Sequence, residues 1–416
     1  MSRIISLSFL CLFSFLLPLH CLAQTPGGVT FKKKLLCVDP NEGIDVGDIN
    51  NDGHLDIIAG RHWYAGPDFV PRHVRNLETR PNGYVHNNSE HLLDVDGDGL
   101  LDVIVGYARK PEIFWYKNPG GEDLMLGLEW ERFPLAESNE TNELYMLRDL
   151  DGCGTPEIIV SSWVKTDPLR VWKILKDDQG KPYGKEIIIG REGGGHGLAF
   201  GDINGDGRED IATEIGWYER PEGNPFAAPW KFHPETALPH PSVPFVLADL
   251  DGDGLTDIAY GLAHGYGIFW RKQLPPKEDG TTQWQEFKID DEWQGAHVML
   301  FEDIDNCGQG ELIVGKRWRS HAGRDQGDSD PPVLYYYKWN ASKKNFDRYT
   351  IAGPGENVGV GLLFRVVDIN GDGWKDILTA GKTGTWLLLN EGFSRQESAG
   401  EKVIDQQIKT DDRTIP

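Results

Sequence analysis

The sequence predicts an all-β fold, a seven-bladed β-propeller, on three observations. A short acidic loop motif recurs seven times, and each copy is flanked by short apolar runs that read as strands. Gly, Pro and aromatic residues are also abundant, with 50 Gly, 25 Pro, 14 Trp, 13 Tyr and 17 Phe in 416 residues. That mix suits tight turns and pleated strands better than long helices.

The loops come first in the argument. They begin at Asp48, Asp94, Asp149, Asp202, Asp249, Asp303 and Asp368. Five copies place oxygen-bearing side chains at positions one, three, five and nine, with Gly at six. They are Asp48, Asn50, Asp52, Asp56; Asp94, Asp96, Asp98, Asp102; Asp202, Asn204, Asp206, Asp210; Asp249, Asp251, Asp253, Asp257; and Asp368, Asn370, Asp372, Asp376. A tight loop with oxygens at that spacing can wrap a hard cation, and calcium accepts six to eight such ligands at flexible angles. Structural calcium is therefore expected at several loops. The third and sixth copies keep Asp149, Asp151, Glu157 and Asp303, Asp305, Glu311 but carry Cys153 and Cys307 at position five. Thiol is a poor calcium ligand, so weaker sites are expected there. The same residue types also build Asx turns that hold no metal, and that reading stays open.

Each loop follows a run such as 245–248 and precedes another such as 258–261, too short for the helices of an EF-hand. The loops thus join the first two strands of each blade. In the second blade 102–106, 113–116 and 130–133 read as second, third and fourth strands. The third-strand aromatics recur at Trp217, Phe269, Trp270, Tyr335 and Trp386. The seventh blade lacks a fourth strand after Asn390, and residues 29–36 match the missing pattern. That strand would close the ring and remove exposed sheet edges. The expected organisation is a leader over 1–23, the propeller over 24–395 and a loose polar tail over 396–416.

These loops and their strand flanks resemble the FG-GAP/VCBS-type repeats of integrin-like propellers over roughly residues 30–390. The resemblance implies a calcium loop between the first two strands of each four-stranded blade. The organisation is also similar to the propeller portion of the aldos-2-ulose dehydratase/isomerase family, which implies dehydration of ketosugars. That family carries cupin domains after its propeller.

Charge and cysteine usage narrow the class. The net charge is −23, and phosphate binding needs clustered Lys and Arg, so nucleic acid is not an expected partner. Side chains at the loop positions supply 23 of the 65 acidic residues, which places much of the charge where cations would bind. Arg3, the apolar run 4–19 and the small residue Ala23 read as a secretory signal cleaved after residue 23, with a lipoprotein anchor on Cys21 as the lesser reading. A secreted or periplasmic address follows, and no other run has membrane-spanning length. Cys37, Cys153 and Cys307 give no disulfide framework.

If the loops occupy one face, the residues entering each first strand and leaving each second strand share the other. His86, His196, His240 and His297 enter there; Arg61, His62, His264 and Arg317 leave there. An insertion over 318–327 adds His321 and Arg324. These nine histidines and arginines other than Arg324 are the candidate catalytic set. Imidazole near neutral pH can act as a general base or hold a second divalent metal, and Arg can stabilise an enolate. A carbohydrate, or another polyhydroxylated or anionic small molecule, is the expected ligand. The function that follows is a lyase or dehydratase working by β-elimination on a ketosugar or uronate. The alternative is a non-enzymatic carbohydrate- or protein-binding module.

Overall fold

The structure, a computed structural model, describes residues 28–79 and 85–393. The expected leader and tail lie outside the described residues. Among these residues the chain forms seven antiparallel four-stranded sheets in strict sequence order. Blade 1 spans 45–73, blade 2 89–137, blade 3 142–190, blade 4 198–233, blade 5 246–294 and blade 6 296–352. Blade 7 takes three strands from 364–393, and its outer strand is Val29–Cys37 from the N-terminus. That strand pairs with Gly384–Phe393 in the register Lys33↔Leu388 and Leu35↔Trp386.

Beyond the acid that opens each of them, the second strands are largely apolar because both faces are covered. Asp102–Gly106, Asp257–Gly261 and Asp376–Gly381 are buried along their whole length, as expected for sheets packed on both sides. Each cluster of core side chains draws on neighbouring blades. Ile58 and Trp63 of blade 1 pack with Val103 and Tyr116 of blade 2, and Trp217 of blade 4 packs with Ile258 and Tyr260 of blade 5. Across the seam, Ile57 and Tyr64 of blade 1 meet Leu378 and Leu387 of blade 7. The third-strand aromatics therefore lie between blades, where truncating one to Ala costs about 3–5 kcal/mol. One segment departs from expectation. A short helix, Gly121–Leu126, ends at Gly127 in the left-handed conformation. The fourth strand of blade 2 follows it at Glu131–Glu137, in the expected place, and the Trp130 N–H donates to the Val74 carbonyl of blade 1.

The seven loops share one hydrogen-bond scheme. The first-position carboxylate accepts backbone N–H groups from positions five and six, as Asp48 does from Asp52 and Gly53. The ninth-position acid is buried and ties the loop to the third strand: Asp102 accepts from Val95 and Asn118, Asp210 from Ile203 and Arg220. Burial raises these carboxyls, Asp56 and Asp376 to about 6 and Asp102, Asp210 and Asp257 to about 7.

A second pattern separates the loops into two kinds. Where position three is Asp, a third-strand lysine reaches in: Lys117 to Asp96, Lys173 to Asp151, Lys272 to Asp251 and Lys338 to Asp305. Where position three is Asn, in the loops of blades 1, 4 and 7, its amide donates to the position-five Asp instead. The residues preceding the corresponding third-strand contacts there are Ala65, Glu219 and Leu389. An added carboxylate is thus matched by an added ammonium.

Candidate functional site

The face opposite the loops holds a cavity of about 510 Å³, lined among others by Glu42, His86, Arg109, Glu143, Trp163, His196, His240, His264, Arg317, His321 and Arg324. Its floor is built by one recurring position. Glu42, Asn88, Glu143, His196 and His297 each stand six residues ahead of a loop (starts 48, 94, 149, 202 and 303), where a first strand begins. Blades 5 and 7 place Val243 and Leu362 there, and both join the buried apolar cluster of blades 3 and 4.

Arg317 ties three blades together across the floor. Its Nε donates to Glu42 at 2.9 Å, and its Nη1 donates to Glu143 at 3.1 Å and to His297 Nε2 at 3.1 Å. His196 and His297 are 1% and 0% exposed. His196 Nδ1 donates to the Pro241 carbonyl at 2.7 Å, so its Nε2 carries the lone pair, 3.8 Å from Glu143. His196 Nε2 and His297 Nδ1 are buried with no hydrogen-bond partner. Ring nitrogens of His196, His264 and His297 all lie within 4.8 Å of one another.

The walls come from blades 4 and 5 and the insertion. His240 stacks near His196 with ring centroids 4.2 Å apart, and its side chain is 46% exposed toward the cavity. Glu214 orients both, accepting the backbone N–H of His196 at 2.8 Å and of His240 at 3.2 Å. His264 stacks on His321 at 3.9 Å, and Asp325 lies 3.3 Å from His264 Nδ1 and 2.7 Å from His321 Nδ1. The insertion is anchored from below. Buried Lys316 donates to the Gly327 carbonyl and Lys382 to the Arg319 carbonyl, each at 2.8 Å. Buried Asp328 accepts from Ser320 and Gly323.

Electrostatics follow from this burial. Desolvation lowers His196 to about 4 and, with the Arg317 charge, His297 to about 3. Burial and the neighbouring imidazoles push His264 down as well. All three rings are neutral at pH 7; the Nε2 lone pair of His196 is unengaged, while that of His297 Nε2 accepts from Arg317 and would have to exchange this bond for a metal. Burial would raise Glu143, but its bonded neighbours hold it well below the usual carboxylate range. With the imidazoles neutral, the charge that does so at pH 7 is that of Arg317. Three neutral imidazoles beside an ionised carboxylate match the donor set of a transition metal.

Most of the expected residues meet here: His86, His196, His240, His264, Arg317 and His321 line the cavity, and His297 lies against its floor. Arg61 and His62 do not. Arg61 donates to the Leu77 carbonyl, and His62 sits beside Cys37. Both follow the second strand of blade 1, but there the chain already turns outward into the third strand, away from the floor. In the insertion, Arg319 turns to the Ala322 carbonyl and the Trp318 ring. Glu42, Glu143 and Trp163 escaped a reading that looked for histidine and cation alone. The six-residue register would have found the two glutamates.

Fold and site together define a seven-bladed propeller with an acidic loop face and a histidine-lined cavity opposite it. Residues 149–213 match the FG-GAP-like repeat family, and the seven four-stranded blades support a propeller of that repeat type. No curated protein matches its sequence. Among solved structures it is similar to an Agrocybe aegerita lectin that recognises non-reducing terminal N-acetylglucosamine, at 17% identity over 85% of this chain and 86% of that one, TM-score 0.46. It is also similar to the exotype rhamnogalacturonan lyase YesX, at 12% identity over 88% and 74%, TM-score 0.44. A third is Saccharomyces cerevisiae Sqt1, at 13% identity over 89% and 100%, TM-score 0.45. All three are distant likenesses of fold. Among the described residues no helix is long and apolar enough to cross a membrane.

Proposed function

We propose that this chain is an exported carbohydrate-active propeller, a lyase or dehydratase that works by β-elimination on a ketosugar or uronate. The observation that supports it is the meeting of His196, His264 and His297 beside Glu143 on the floor of a cavity large enough for a sugar. Those three imidazoles would hold a divalent metal, and a metal there would polarise a substrate carbonyl as a Lewis acid. His240, exposed to the cavity and oriented by Glu214, is placed to take the proton α to that carbonyl. Asp325 orients His264 and His321 from the insertion. Arg109 and Arg324 stand at the rim, where a carboxylate or hydroxyls of the substrate would meet them. Trp163, with Arg109 over its ring at 5.5 Å, offers an apolar wall to a sugar face.

The loops are the second part of the proposal. Calcium is held by the five loops with a full oxygen set, and weakly by the two with Cys at position five. It enters the loops of blades 1 and 7 more readily, because no lysine ammonium has to be displaced there, whereas in blade 4 the Arg208 guanidinium pairs with Asp206.

The test is absorbance of unsaturated product from panels of ketosugars and uronate oligomers, with zinc, manganese and calcium each supplied. Turnover that needs a transition metal supports the reading. Silence across every panel and metal sinks it, and sugar binding without turnover shows a binding module instead.

A further inference from the structure

The seam between blades 7 and 1 holds ligand-type side chains that the cavity leaves unused. Cys37 ends the outer strand of blade 7, Asp39 lies two residues on, and His62 opens the third strand His62–Ala65 of blade 1. One ligand atom from each lies within 4.8 Å of the other two, and all three residues are partly buried. Cys37 Sγ is 4.0 Å from His62 Nδ1 and accepts the Asp39 backbone N–H at 3.4 Å. His73 is the register partner of His62, with ring centroids 6.3 Å apart.

Ordinary surface pairing accounts poorly for this grouping. The one ion pair in it, Arg61 with Asp39, spans 3.9 Å between half-exposed groups and is worth little. Cys37 also packs against the apolar cluster of blades 1 and 7, a role that does not call for an imidazole and a carboxylate beside its thiol. Thiolate, imidazole and carboxylate together are a zinc-type donor set, and they discriminate against calcium and magnesium, which want oxygen alone. Zinc bonds of about 2.0–2.3 Å would ask Cys37 Sγ and His62 Nδ1 to close by roughly half an ångström, with the Asp39 carboxylate swinging in to meet them.

We infer that Cys37, Asp39 and His62 form a transition-metal site, with zinc as the matching ion, that staples the N-terminal strand to blade 1. The ion joins two chain segments that meet at the seam. From Asp39 the chain runs directly to Glu42, which holds Arg317 on the cavity floor. The staple therefore also steadies one wall of the cavity, at a distance from the His196–His264–His297 group.

Cobalt(II) titration of the Cys153→Ser/Cys307→Ser protein tests this, because Cys37 is then the single thiol of the propeller. A thiolate-to-cobalt charge-transfer band is expected, complete by two equivalents because the cavity histidines would take up a second ion. The band should vanish in Cys37→Ser, weaken in Asp39→Asn and His62→Gln, and persist in His297→Gln. Persistence in the last variant separates this site from the cavity, so that failure of one reading leaves the other standing. Zinc should raise the melting temperature of the parent by more than that of its Cys37→Ser variant. Absence of the band from folded protein whose Cys37 reacts as a free thiol overturns the inference, as does a band unchanged in His62→Gln.

Discussion

The loop face and the cavity face are made by the same seven repeats and use them in opposite ways. On the loop face one position carries the same residue type in every blade, as the first-position Asp and sixth-position Gly show. On the cavity face one position carries five residue types across the seven blades: Glu42, Asn88, Glu143, His196, Val243, His297 and Leu362. Geometry explains the contrast. Each loop closes its own hairpin and hydrogen-bonds mostly within itself, so every copy solves the same local problem. The residues at the start of the first strands instead converge on one volume, where seven identical side chains would repel or crowd each other. Repetition builds the scaffold, and divergence at a single register position supplies most of the floor of the site.

The largest expected effect breaks the comparison on the cavity side. His297→Gln should lower kcat/KM for the elimination by at least about 100-fold, since it removes a donor from the floor, while calcium uptake stays unchanged. Wild-type turnover in this variant would remove the cavity from the chemistry. Chelation acts on the other face. Stripping calcium should lower the melting temperature by several degrees, because each independent site held at a hundred times its Kd contributes about 2.7 kcal/mol. A calorimetric scan indifferent to chelator and to added calcium would leave the loops as plain Asx turns.

Asp45 belongs to neither face and sharpens the contrast as a control. It pairs with Arg365 of blade 7 at 2.7 Å and accepts the Leu92 N–H of blade 2 at 2.8 Å. Burial would raise its carboxyl, but Arg365 and then His91 hold it below the ordinary 3.8. A carboxylate depressed in the folded state adds stability above its unfolded pKa and loses it as pH falls through the folded value. Asp45→Asn should therefore cost roughly 2 to 4 kcal/mol at pH 7 and progressively less below pH 4, measured by urea unfolding. An equal cost at both pH values would mean that the charge of Asp45 is irrelevant. The smallest effect concerns the two kinds of loop. Lys272→Met should raise calcium uptake by the blade 5 loop a few-fold at sub-saturating calcium, read by equilibrium dialysis. Unchanged uptake would show that the lysine is no competitor of the cation.

Much of this was legible along the chain because its information is local. The Asp-x-Asx-x-Asp-Gly spacing, the apolar runs beside it and the unpaired seventh blade together specify blade number, strand order and the role of residues 29–36. The pairing of position-three Asp with Lys117, Lys173, Lys272 and Lys338 is also readable, since it rests on comparing repeats. The face on which His62 and Arg61 lie was legible too, but not their distance from the axis.

The sequence by itself determined the repeat, the blades, the acidic loops and the face opposite them, because hairpins and turns are set by neighbours a few residues apart. Only the tertiary structure decided that Glu42, Glu143, His196, His297 and Arg317 share one floor and that His62 belongs with Cys37 instead. Those contacts join residues from different blades, up to 275 positions apart for Arg317 and Glu42. No local pattern encodes a radius.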